Sequence, residues 1–207
     1  MIYTSGYLFP PRPEKKVPQG MLSFYERLGW WAQKKKNGTC TVIFVDGKDV
    51  TFKTRHPEDN NGNHKLWTPL PEHIKTFQAP AGKRFVYVAE LLHSKVSGGP
   101  KNQLYLFDYI VENGEQMVGK TFKERMSALD NRWKDKSDEG DQFRVNEYVS
   151  LARNYTSGFA KLFANLKPED EGLVLKSPTA KLLPAFKGDS NAAWQVKCRI
   201  PHKNYSF

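Results

Sequence analysis

Trp30-Trp31-Ala32-Gln33-Lys34-Lys35-Lys36-Asn37-Gly38 is the stretch on which the fold turns, because a β-prone aromatic pair runs into a lysine cluster closed by Asn-Gly. Residues 21–28 read as a short helix stopped by Gly29, so residues 30–33 lead into the lysines as a strand and Lys35 falls at a strand end. Side chains alternate across a strand; Lys34 and Lys36 therefore share one face and Lys35 takes the other. Downstream, residues 39–45 and 49–54 are β-rich runs around Asp46-Gly47-Lys48, a strong short-range hairpin signal. The Lys35 strand is thus expected to join an antiparallel sheet. Residues 85–92 and 103–111 read as buried strands that form a pocket floor. Residues 56–67, rich in Asn, Gly and Asp, read as a mobile surface loop.

Thr121, with Glu124 three residues later, forms a capping box ahead of Phe122, Met126 and Leu129 at helical spacing. Tyr155, Phe159, Leu162, Phe163 and Leu166 mark one face of a second helix, which Pro168 bounds. Pro10, Pro11, Pro13 and Pro18, around the pair Lys15 and Lys16, exclude a helix or a central strand from residues 8–20. Residues 1–20 are therefore read as an extended N-terminal arm. The mixed-charge run 134–141 reads as a solvated loop to which no chemistry is assigned. These elements give an α+β expectation, antiparallel β-sheets flanked by helices, in one domain over residues 1–207.

The 207 residues carry 32 Lys plus Arg against 22 Asp plus Glu, and a net charge of +10 attracts polyanions. Nucleic acid is the leading partner, although many basic proteins bind none, so charge needs the motifs beside it. Two cysteines, Cys40 and Cys198, exclude a disulfide framework, and no close Cys and His pairs indicate zinc. The N-terminus lacks a charged leader, and no run of about 18 apolar residues occurs. A soluble, cytoplasmic monomer without a membrane role is expected. No GxxxxGK[ST] loop is present, so a nucleoside triphosphate must be held in another way.

Lys35-Lys36-Asn37-Gly38, Thr54 to His56, Phe85 to Leu91, Glu171-Gly172-Leu173-Val174-Leu175-Lys176 and Lys197-Cys198-Arg199 occur in an order that resembles the covalent nucleotidyltransferases, the superfamily of DNA ligases, RNA ligases and mRNA capping enzymes. The resemblance covers residues 30–200. Each motif is short enough to recur by chance, and order and spacing carry the weight. The resemblance implies the ATP-grasp-like nucleotidyltransferase domain of ligases. It also implies that Lys35 attacks the α-phosphorus of ATP, stores AMP as a phosphoramidate and passes it to a 5′-phosphate, from which a 3′-hydroxyl displaces it. Such an attack needs the neutral amine, favoured by burial or by nearby positive charge. Lys34 and Lys36 are the alternative nucleophiles.

By the same resemblance, Gln33 stands where many DNA ligases carry a Glu that reads the adenine amino group. Asn37 matches the family Asp or Asn, and Gly38 would permit close backbone approach to the nucleotide. Arg55 is implied at ribose and phosphate, Glu90 at ribose or metal, Phe107 stacked on the purine, Lys176 on a phosphate, and Lys197 with Arg199 at the α-phosphate. Glu171 and Glu90 are the implied ligands of Mg2+ or Mn2+, hard cations that take carboxylate oxygens. Departures include Cys40, where many DNA ligases carry Arg, and Val88-Ala89 in place of Asp-Gly. Ordinary roles stay open: a surface carboxylate for Glu90, core packing for Phe107, charged strand edges for Lys176, Lys197 and Arg199. Alternation along residues 171–176 sets Glu171 and Lys176 on opposite faces unless a twist or bulge intervenes.

Asn37 is familiar among RNA and tRNA-splicing ligases, whereas residues 107–125 resemble DNA ligases. Eight residues follow Arg199, so the sequence has no room there for the OB-fold domain of DNA ligases and capping enzymes. The expectation is a stand-alone ATP-dependent polynucleotide ligase, leaning to RNA over DNA ends, a form that would suit phage repair by analogy. A capping guanylyltransferase and an inactive nucleic-acid-binding module are the alternatives.

Overall fold

The structure, a computed structural model, describes residues 10–57, 64–93, 99–184 and 191–201. Residues 1–9 of the expected arm and 58–63 of the expected loop lie outside the described residues. The chain runs through β1 (Arg12–Lys16), a 3-10 turn (Gln19–Met21), α1 (Leu22–Arg27), β2 (Trp31–Lys36), β3 (Thr39–Asp46), β4 (Asp49–Pro57), β5 (His64–Leu66), α2 (Pro71–Phe77), β6 (Arg84–Leu92) and β7 (Gln103–Glu112). It continues with β8 (Glu115–Gln116), α3 (Phe122–Arg132), β9 (Ser137–Asp138), β10 (Gln142–Asn146), β11 (Val149–Ala152), α4 (Phe159–Ala164), β12 (Asp170–Lys176) and β13 (Asn191–Arg199). One sheet has the order β1-β13-β12-β2; the other runs β5-β4-β3-β6-β7-β11-β10-β9, with β8 beside β7. Pairing is antiparallel except between β1 and β13 and between β11 and β7, which gives the expected α+β class. No described helix is long and apolar enough to cross a membrane.

The larger sheet buries β-branched and aromatic residues of β3, β6 and β7, among them Ile43, Val88 and Leu106, under α3 through Phe122, Met126 and Leu129. Thr121 caps α3 as its sequence implies: its Oγ1 accepts from the Glu124 amide at 3.2 Å and its own amide donates to the Glu124 carboxylate at 2.7 Å. The smaller sheet turns an apolar outer face, with Ala32, Leu173, Leu175, Val196 and Cys198, onto Leu22, Phe159 and Phe163 of α1 and α4. Its other face looks toward the larger sheet.

Several expectations change. The hairpin forms, with Asp46 opposite Asp49, but the Lys35 strand does not join its sheet. Instead β2 pairs with β12, and the chain crosses between sheets at Asn37 and Gly38. Proline is tolerated at a sheet edge, so residues 12–16 of the arm form the edge strand β1, paired with β13. Residues 56–67 are less loop than expected, because β4 continues to Pro57 and β5 begins at His64. The second helix is confined to Phe159–Ala164. Tyr155 is outside it, its amide and carbonyl both bonded to Ala32 at 2.8 Å, and the Glu26 carboxylate accepts from the Gly158 and Phe159 amides at 2.9 Å each. The 134–141 run is also structural: Asp141 binds Lys34 at 2.9 Å and Lys167 at 2.8 Å. Burial pushes the Asp141 carboxyl up, but these two lysines outweigh it and hold it down at about 2.

One irregularity sets the register of the smaller sheet. Asp170 lies opposite Lys36, yet Gly172 lies opposite Lys35, so Glu171 is the extra residue of a β-bulge. Beyond it Gly172, Val174 and Lys176 face Lys35, Gln33 and Trp31 on one side and Arg199, Lys197 and Gln195 on the other. Residues directly opposite in an antiparallel pair share a face. The bulge therefore resolves the alternation problem, bringing Glu171 and Lys176 toward the same space. Gly172 makes it possible: its φ is +145°, and a Cβ there would sit 2.0 Å from the Cys198 carbonyl oxygen. Gly172→Ala is expected to lower stability by about 1–3 kcal/mol from backbone strain alone, with the clash adding to it. Urea denaturation measures this; an unchanged midpoint would show that the bulge tolerates a side chain.

Candidate active site

A cavity of about 400 Å³ opens between the inner face of the smaller sheet and the rim of the larger one. That volume is within the range of small-molecule sites. The smaller sheet lines it with Gln33, Lys34, Lys35 and Lys36 of β2, Glu171, Val174 and Lys176 of β12, and Gln195, Lys197 and Arg199 of β13. Gly38, Cys40 of β3, Arg55 of β4, Glu90 of β6, and Tyr105 and Phe107 of β7 close the other side. Ten residues singled out from sequence thus meet in one cavity: Gln33, Lys35, Gly38, Arg55, Glu90, Phe107, Glu171, Lys176, Lys197 and Arg199. Asn37 is not among the lining residues; its amide donates to the Glu169 carbonyl at 3.0 Å, at the crossover between sheets.

Strand alternation sorts the three lysines. Lys36 lies 2.6 Å from Asp170, and Lys34 lies 2.9 Å from Asp141 and 3.5 Å from Asp170. Both ammonium groups are thereby neutralised and buried. Lys35 faces the cavity, its Nζ bonded to the Glu171 carboxylate, with Arg199 Nη2 3.5 Å from the same oxygen. Lys197 stands on the same face, and its pKa is pulled down by burial and then by the charges of Arg199, Lys35, Lys16 and Arg12. Gly38 serves the fold directly: a Cβ there would lie 2.4 Å from the Leu91 carbonyl and 2.8 Å from Glu90 Cγ. Glycine lets the β2–β3 crossover pack onto β6 beside Glu90.

At the opposite end, Phe107 is the extra residue of a second bulge, since Ala89 pairs with Leu106 and Val88 with Asp108. Asp108 and Arg125 form a buried two-pronged pair, with nitrogen-to-oxygen distances of 2.9 and 3.1 Å. Burial would raise the Asp108 carboxyl, but Arg125 outweighs it and the pKa is lowered. Lys176 Nζ donates to the Phe107 carbonyl at 3.1 Å and lies 4.5 Å from the centroid of the Phe122 ring. Its burial outweighs the attraction of Asp108 and, with the Arg125 charge, brings its pKa down to about 7. Gln33 Nε2 donates to Asn154 Oδ1 at 2.9 Å, which fixes the carboxamide. Burial and Glu90 together push the Cys40 thiol up to about 12 against Arg55 and Lys35, so Cys40 is protonated and is no nucleophile at neutral pH.

Sequence reasoning missed Tyr105, Gln195, Asn154 and Arg125. The Tyr105 hydroxyl and Gln195 Nε2 are buried without a hydrogen-bond partner, although both residues line the cavity. Alternation held their signal: Gln195 is two residues before Lys197, and Tyr105 two before Phe107. Among the described residues no group of three or more His, Cys, Asp or Glu is arranged to hold a metal ion.

No protein-family model matches the chain, and no curated protein matches it in sequence. Solved structures do. The ligase domain of M. tuberculosis LigD superposes with a TM-score of 0.65 at 16% identity, covering 93% of this chain and 59% of that one. A mycobacterial DNA ligase D complexed with ATP and MES gives 0.61 at 17% identity, covering 93% and 60%. The chain has the fold of a ligase nucleotidyltransferase domain. A third structure, described as Pmar-Lig_PreS3, gives 0.61 at 13% identity, covering 94% of this chain and 47% of that one. The chain thus spans about three fifths of the LigD structures and about half of the third.

Within this ligase-domain fold Lys176 makes a measurable contribution to pH dependence. Unfolded, it keeps its proton up to about 10.5; folded, it releases it near 7. Between those values the unfolded chain binds more protons, so the Lys176 contribution to stability increases as pH rises through that window. Lys176→Met is expected to flatten this rise relative to wild type in urea denaturation at pH 7 and pH 9. Identical slopes would mean that Lys176 titrates normally.

Proposed function

We propose that the chain is an ATP-dependent polynucleotide ligase that stores AMP on Lys35 and seals a 5′-phosphate to a 3′-hydroxyl. The observation that carries this reading is the sorting of the lysines. Lys34 and Lys36, although they also border the cavity, are buried and neutralised by Asp141 and Asp170, while Lys35 meets Glu171 beside Lys197 and Arg199. As a neutral amine, Lys35 Nζ forms a bond to the α-phosphorus while the bond to pyrophosphate breaks, and Glu171 lies in contact to accept the amine proton. Lys197 and Arg199 supply fixed positive charge where phosphate charge develops. Phe107 and Gln33 would flank the base, and the unpartnered Tyr105 hydroxyl and Gln195 amide would find partners on it or on the ribose.

ATP is favoured as donor because the structurally similar mycobacterial DNA ligase D is described in complex with ATP. Glu171, with Glu90 across the cavity, would hold magnesium jointly with phosphate oxygens, which suits a cavity that offers few carboxylates. Bound there, the ion would neutralise charge on the departing pyrophosphate. Asn37 favoured RNA ends, but its amide anchors the crossover and it does not line the cavity, whereas the similar structures named as ligase D favour DNA ends. A net charge of +10 suits either polymer. With ATP and magnesium, wild type is expected to seal nicked DNA faster than a nicked RNA strand. Lys35→Ala is expected to lose roughly a thousandfold or more of that activity, as removal of a nucleophile does. Sealing by Lys35→Ala at the wild-type rate would place the chemistry on another residue, and faster sealing of RNA would reverse the polymer assignment.

A further inference from the structure

We propose that β1 belongs to the nucleotide site, its Arg12 and Lys16 binding the β- and γ-phosphates of the nucleoside triphosphate. The inference rests on the nucleotide reading of the cavity and extends it to a segment outside the motifs. Arg12 lines the cavity, together with the neighbouring Pro10, Pro11 and Pro13. Parallel pairing sets Lys16 beside Lys197, and the Val17 amide locks that register by donating to the Lys197 carbonyl at 2.9 Å. Lys15 pairs instead with Val196, whose side chain is in the apolar layer under α1 and α4, so Lys15 belongs to the other face.

The order of strands gives the direction. Lys35 is on β2, and the sheet then runs through β12 and β13 to β1. In-line displacement sets the leaving pyrophosphate on the far side of the α-phosphorus from the attacking amine. Across this sheet the far side is β13 and then β1. The charge balance agrees: with Lys34 and Lys36 neutralised by Asp141 and Asp170, six further basic residues and two carboxylates, Glu90 and Glu171, line the cavity. Arg12 and Lys16 are also close enough to Lys197 to help lower its pKa, behind burial and nearer cations. Gathering like charges in a partly desolvated cleft is unfavourable until a polyanion enters.

Titration calorimetry with AMP and with α,β-methylene-ATP, which cannot transfer its AMP, tests this on the full chain. For wild type and for the Lys15→Gln control, the triphosphate analogue is expected to bind at least about tenfold more tightly than AMP. The double variant Arg12→Gln, Lys16→Gln is expected to bind AMP as wild type does, which also shows that it is folded, and to lose the preference for the analogue. Its sealing of a nick already carrying 5′-AMP is expected to be unchanged, because no pyrophosphate takes part in that step. If the double variant keeps the preference, or if Lys15→Gln loses it equally, the assignment to Arg12 and Lys16 is wrong while the nucleotide site stands. If wild type binds neither nucleotide, both fall together.

Discussion

The contact between the Gly172 backbone and the Cys198 carbonyl is the constraint on which the rest of the site depends. A side chain at 172 would clash there, so glycine permits the bulge whose extra residue in β12 is Glu171. Without the bulge, alternation would turn Glu171 away from the face that carries Lys176, or the reverse. With it, one strand delivers a carboxylate to Lys35 at one end of the cavity and an ammonium to Phe107 at the other. The same register aligns Lys197 with Val174 and Arg199 with Gly172, so cations from β13 stand over the bulge.

The cavity is built from charges that the fold must pair before it can use them. Lys34 and Lys36 would each be costly to bury alone, and Asp141 and Asp170 make their burial possible. The bulged Phe107 is held from two directions: Lys176 bonds its carbonyl, and Asp108, the next residue, is clamped by Arg125 from α3. Removing Arg125 would leave the buried Asp108 carboxylate with only Lys176 and the Tyr109 amide to stabilise it, a loss approaching the roughly 3–5 kcal/mol of broken buried pairs. The aromatic wall is therefore fixed by electrostatics behind it as much as by packing.

Local signals were legible in the sequence. The Asp46-Gly47-Lys48 hairpin, the Thr121 capping box and the strands containing Glu90 and Phe107 all depend on neighbours a few residues apart. So does the alternation that singles out Lys35. Sheet membership was not legible, because it is decided by pairing between distant segments: β2 with β12, and the proline-rich β1 with β13. For the same reason Asp141 read as a solvated loop residue, although Lys34, more than a hundred positions away, determines its role. For Tyr105 and Gln195 the sequence held only their alternation with Phe107 and Lys197, and residue type added nothing to it until the cavity beside them is seen.

The central claim is that Lys35, and not either adjacent lysine, is the reactive group of the cavity. The most direct measurement is the intact mass of the protein after incubation with ATP and magnesium, followed by peptide mapping of any adduct. The account predicts an increment of one AMP, carried by Lys35. An adduct on Lys34 or Lys36, or no adduct with either ATP or GTP, would contradict it.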